Sequence, residues 1–224
     1  MSSPRARDSN ARDSMARKTR KADILNEFRR SELIASARHV FGTHGFESAT
    51  MEAIARQADV AKGTVYLYYN SKRAIYEATL LACMEELEAV VRKRVEAADT
   101  LQSAIAAFVA TRVEHFQERQ DFFRMYVDEI GIRVRAPKRR RSLGGAMIDR
   151  QPRILERLIA NAVTRGEIRK VDPAATALAV FDMTRGLVAR HLLSQEPSDT
   201  ARDVAFLTDL IWTGLRPARR KQTS

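Results

Sequence analysis

"MEAIARQADVAKGTVYLYYNSK", residues 51–72, decides the fold. Met51, Ile54, Ala55 and Ala58 form a short apolar stripe behind Thr50, whose hydroxyl suits a helix N-cap. Ala58-Asp59-Val60 then reads as a tight turn, because Asp tolerates a left-handed backbone, though less readily than Gly. The second pattern begins near Lys62 and carries Thr64, Tyr66, Tyr68 and Tyr69. Val65 and Tyr69 are four apart and share a face, expected to pack inward with Val60. Thr64, Leu67 and Tyr68 point away from that face, with Tyr66 at its edge. Two short helices joined by a tight turn, the second bearing polar and aromatic groups, make a helix-turn-helix.

Such a second helix fits the DNA major groove, its first residues meeting base edges and phosphates. Thr64 can bond a base edge or pack on a thymine methyl. Tyrosine hydroxyls reach phosphate, Lys62 and Lys72 neutralise it, and the N–H groups behind Thr50 suit it as well. Thr50 is a cap on either view. Tyr69 belongs to the core, Tyr66 to either setting, and Thr64 and Tyr68 to a partner-facing surface, since exposed aromatics beside lysines mark binding sites.

The stretch "ARHVFGTHGFESATMEAIARQADVAKGTVYLYYNSKRAIYEA", 37–78, resembles the TetR family of bacterial transcriptional regulators. The resemblance rests on Phe41-x-x-x-Gly45-Phe46, Thr50, Ile54-Ala55, Val60, Lys62-Gly63-Thr64, Tyr66, Tyr68-Tyr69 and Ser71-Lys72. It implies DNA contacts from Thr50, Lys62, Gly63, Thr64, Tyr66, Tyr68 and Lys72. Asp59 stands where such proteins usually have Gly, Ala61 where Ser is common, Tyr69 for Phe and Arg73 for Glu. None of these removes a DNA-contacting type, though Ala61 forfeits a cap.

Working outward, residues 1–22 alternate Arg and Lys with Ser, Asp and Asn and read as a disordered basic arm, in which Arg17, Lys18, Arg20 and Lys21 could follow DNA. Ile34, Ala37, Val40 and Phe41 form a helical stripe that Gly45 should stop. Ser71 can cap a long helix from about Lys72 to Ala97, with Ile75, Leu80, Leu87 and Val91 inward. Helices are expected near 100–118, 121–135, 146–165, 173–194 and 199–214. The fold class is all-α with about nine helices: a helix-turn-helix domain over 23–71, a ligand-binding and dimerisation domain over 72–215 as the resemblance implies, and a basic tail over 216–224. The helix from Lys72 would belong to both domains and act as the lever between them.

The last two helices are the dimer candidates, through Leu178, Phe181, Val188, Phe206 and Leu210, as a four-helix bundle on a twofold axis; the alternative is that these stripes face only their own core. Phe108, Arg112, His115, Phe116, Phe123, Tyr126 and Glu129 offer apolar walls with a few polar groups, the usual make-up of a ligand pocket, although aromatics at helical spacing also make plain core. The Lys138–Arg141 run reads as solvated charge, with a second nucleic-acid contact or the attraction of an anionic ligand as alternatives.

The chain has 224 residues, a formal charge of +11, 45% hydrophobic and 30% charged residues, a globular composition seeking a polyanionic partner. Its one cysteine, Cys83, leaves no internal disulfide and fits a reducing cytoplasm. No apolar run approaches the roughly 18 residues of a membrane span, and no membrane partner is expected. The four histidines form no metal-ligand pair, and no phosphate loop or nucleophile elbow is present, so neither enzyme activity, metal nor cofactor is expected. The reading is a homodimeric repressor of a palindromic DNA operator, released by a small-molecule effector of unknown kind. The alternative is a basic helical protein that binds nucleic acid without sequence choice.

Overall fold

Capping chemistry sets the helix starts around the turn. In the computed structural model, which describes residues 4–135, 143–193 and 199–217, the Thr50 hydroxyl accepts from Ala53 N at 3.0 Å and the Ser71 hydroxyl from Ala74 N at 3.1 Å. The described helices are α1 (Pro4–Ser48), α2 (Met51–Gln57), α3 (Lys62–Tyr68), α4 (Lys72–Glu96), α5 (Leu101–Glu118), α6 (Gln120–Arg135), α7 (Leu143–Arg150), α8 (Arg153–Thr164), α9 (Pro173–Leu193) and α10 (Thr200–Leu215). No strand occurs among the described residues, so the fold is all-α. The nine expected helices are there, and the one expected over 146–165 is broken into α7 and α8 at Gln151-Pro152. Pro152 has no N–H to donate and its ring opposes a continuous helix behind it.

Two readings need correction. The stretch 1–22, expected to be disordered, is helical from Pro4 as part of α1. Its Ala, Arg, Lys and Met favour helix without any apolar stripe, and proline is tolerated in a first turn. Gly45 interrupts the helix as expected: its φ of 72° is a region open to glycine, and one further helical turn follows the break to Ser48. Phe181 and Val188, expected at a dimer face, are buried within their own chain. The Lys138–Arg141 run and the tail beyond Pro217 lie outside the described residues.

The chain divides into two compact units, Met1–Thr79 and Leu80–Ser224. The division falls eight residues past the Ser71–Lys72 boundary read from sequence, because the start of α4 packs into the first core. There Tyr76 stands edge-on to Phe41 and Phe46, at 5.0 and 4.9 Å between centroids. Leu33, Ala37, Val40, Ile54, Ala55, Val65 and Ile75 complete that core, while Ile34 is only half-buried. In the second unit α5 packs against α6, α8, α9 and α10. The stacked Phe116 and Phe122 rings, 5.1 Å apart, lie at its centre with Tyr126.

Candidate nucleic-acid interface and the C-terminal core

The turn between α2 and α3 is closed by backbone bonds. Val60 N donates to Ala55 O at 3.0 Å and Asp59 N to Arg56 O at 3.2 Å. Asp59 takes φ 52°, the left-handed conformation expected of it. Ala61 makes no side-chain cap for α3, whose first bond is Thr64 N to Ala61 O at 2.8 Å. Val65 and Tyr69 face inward as expected. That leaves Tyr66, at 45% exposure, and Leu67, at 84%, standing out from the surface. Thr64 and Tyr68 are half-buried, and Lys62 and Gly63 are exposed.

Several expected contacts already have partners within the first unit. Lys62 pairs with the Glu52 carboxylate, which raises the Lys62 pKa and lowers that of Glu52. Both groups are exposed, so the pair adds little to stability and phosphate can displace it. The Tyr68 hydroxyl donates to Asn26 Oδ1 at 3.1 Å, tying α3 to α1, and Arg30 lies over its ring. Lys72 Nζ donates to Glu47 O at 2.9 Å and sits 4.7 Å from the Phe46 ring centroid. An ammonium has three donors, so Lys72 can still reach a phosphate. At Gly63 a Cβ would meet nothing of the protein within 4 Å. Glu52, Asn26 and Glu47 were missed in the sequence, where no periodic signal links them to their partners.

In the second unit Phe108, Arg112, His115, Phe116, Phe123, Tyr126 and Glu129 are all buried, brought into one core by α5 and α6. Arg112 is wholly buried. Its Nη1 donates to Gln151 Oε1 at 2.9 Å, and its guanidinium carbon lies 4.8 Å from the Phe181 ring centroid, with Phe108 at 5.5 Å and Phe116 at 5.8 Å. Burial lowers its pKa and the Tyr126 hydroxyl opposes that. Burial also holds His115 below the usual imidazole value. Gln151 was missed because it precedes a proline in a helix break, where composition speaks of a turn. On the outer face, Leu178, Phe206 and Leu210 are exposed, Phe206 at 69%.

Comparison with known proteins agrees with this arrangement. The model of the TetR family of bacterial regulatory proteins matches residues 33–79, and that of the tetracycline-repressor-like C-terminal domain matches 97–205. The chain belongs to the TetR family. Among its relatives, the HTH-type transcriptional regulator UidR of Escherichia coli is 26% identical over 186 residues, covering 81% of this chain and 88% of that protein. A TetR-family transcription regulator from Marinobacter aquaeolei superposes with a TM-score of 0.68 at 17% identity, over 88% of this chain and 100% of that one. FadR of Bacillus subtilis, solved with stearoyl-CoA, has a TM-score of 0.67 at 18% identity, over 82% and 98%; such identities speak for the fold alone. This TetR-family chain is therefore a DNA-binding transcriptional regulator. Among its described residues no helix is long and apolar enough to cross a membrane, and no three His, Cys, Asp or Glu side chains gather to hold a metal.

Proposed function

We propose that this regulator is a cytoplasmic repressor that reads a palindromic operator as a homodimer and leaves it when a small molecule occupies the C-terminal core. The observation that carries the DNA half is α3, which turns Val65 and Tyr69 inward and leaves Lys62, Gly63, Tyr66 and Leu67 in solvent. In the bound state Thr64 and Tyr66 meet bases, Lys62 exchanges Glu52 for a phosphate, and Thr50, Tyr68 and Lys72 hold the phosphates at the edge of the groove.

Leu178, Met183, Phe206 and Leu210 support the dimer: α9 and α10 leave these apolar side chains uncovered, beside an open groove of about 490 Å³ floored by Ala175, Ala179 and Leu210. That FadR was solved in complex with stearoyl-CoA supports a small-molecule effector. α4 runs unbroken from Lys72 to Glu96, contributing to both units, which supports coupling by population shift.

The test is selection of bound duplexes from a random pool at physiological salt. An enriched palindrome supports the reading. Binding at low salt without enrichment would leave only the electrostatic term, as expected of a sequence-independent coating protein.

A further inference from the structure

Arg112 combines complete burial with a guanidinium that cannot deprotonate, so its charge needs compensation. Among the described residues no carboxylate pairs with it. The groups that act on it are the Tyr126 hydroxyl and a second cation, Arg185, which is already paired with Asp182 at 3.0 Å. The two guanidiniums approach one Phe181 ring, at 4.8 and 5.8 Å. Ring faces support a cation but do not neutralise it.

The unmet donors have a specific geometry. Gln151 takes Nη1, whereas Nε and Nη2 are buried and have no hydrogen-bond partner. Those two nitrogens share one edge of the planar group, the fork that grips a carboxylate with two parallel bonds. The Gln151 amide nitrogen and the Tyr126 hydroxyl are also buried and meet no acceptor, the hydroxyl lying within reach of the guanidinium, so each brings a further donor. One uncompensated positive charge calls for one negative charge, which a carboxylate supplies. A phosphate monoester brings nearly two.

We propose that the core of the C-terminal unit is an oxyanion site in which the open edge of Arg112 grips the carboxylate of an otherwise apolar effector, with Gln151 and Tyr126 as further donors. Phe108, Phe116 and Phe181 hold the guanidinium plane in place for that grip. This inference rests on the effector reading above and names the chemical class of the effector.

The experiment is thermal denaturation of the full-length protein at fixed ionic strength with hexanoate, its uncharged isostere hexanamide, or inorganic phosphate. Hexanoate is expected to raise Tm, and the amide and phosphate are not. Arg112→Met should lose the hexanoate effect, with affinity falling about thirtyfold or more, yet hold or raise Tm without ligand, because it removes an uncompensated buried charge. Arg112→Lys keeps the charge without the fork and should bind hexanoate more weakly than wild type. Equal gains from acid and amide, no gain from hexanoate, or an Arg112→Met protein that fails to fold would each overturn the site. A larger gain from phosphate would overturn the carboxylate assignment.

Operator affinity, read in parallel, separates this idea from the one beneath it. Hexanoate binding through Arg112 with DNA affinity unchanged would keep the anion site and sink the effector reading. Ligand-driven release that survives Arg112→Met would do the reverse.

Discussion

Replacing Gly63 with Ala separates folding from DNA binding at a single methyl group. Within the protein the added Cβ meets nothing within 4 Å, and Gly63 is not among the residues with positive φ. Alanine therefore fits without strain, and it restricts the unfolded chain. The gain should be about 0.4–1 kcal/mol, reinforced by helix propensity near the start of α3. For a chain of this size that corresponds to a Tm rise of about 1–4 °C. On DNA the sign reverses, because the methyl group occupies the space through which the α3 backbone would approach the sugar-phosphate chain. A loss of about 1.4 kcal/mol, tenfold in Kd, is expected in fluorescence anisotropy on the selected duplex. Gly45→Ala is the control: its φ of 72° makes alanine strained, so stability falls by about 1–2 kcal/mol. A more stable Gly63→Ala protein with unchanged DNA affinity would refute the placement of α3 against the backbone. A less stable one would refute the strain-free geometry.

Breaking the Lys62–Glu52 pair from either side should move DNA affinity in opposite directions. Lys62→Ala should weaken binding across sequences and lower the salt slope by about one, whereas Glu52→Gln should tighten it, both read by anisotropy against salt. Phe206→Glu, placed on an exposed apolar face, should leave Tm of the folded chain nearly unchanged and shift sedimentation from dimer to monomer; an unshifted dimer would move the interface elsewhere. His115 has its pKa lowered by burial, partly opposed by Glu86 and Glu118 and assisted by Arg119 and Arg112. Its contribution to stability is therefore present above the ordinary value of 6.5 and lost as pH falls below it, because the unfolded chain then takes up the proton first. Denaturant titrations between about pH 7 and pH 5.5 should show this loss, at most about 1.4 kcal/mol per pH unit, and His115→Gln should flatten it.

Local features were legible in the residues themselves. Thr50 and Ser71 cap because a hydroxyl at that position bonds an N–H three residues on, and Asp59 turns because its own backbone tolerates positive φ. Inward positions such as Ala37, Ile54, Val65 and Leu87 follow from three- and four-residue spacing. These effects act within a turn or two of one helix, so the order of residues states them.

Partnerships across helices were decided only by the tertiary structure. Tyr68 finds Asn26 across 42 residues and Arg112 finds Gln151 across 39, and nothing in either stretch names the other. Phe181 and Phe206 both looked like dimer-face residues, yet one is buried against Arg112 and the other stands in solvent. Periodicity says that a helix has an apolar face. Which other helix covers it, and which polar group is carried inside with it, depends on packing all the faces at once.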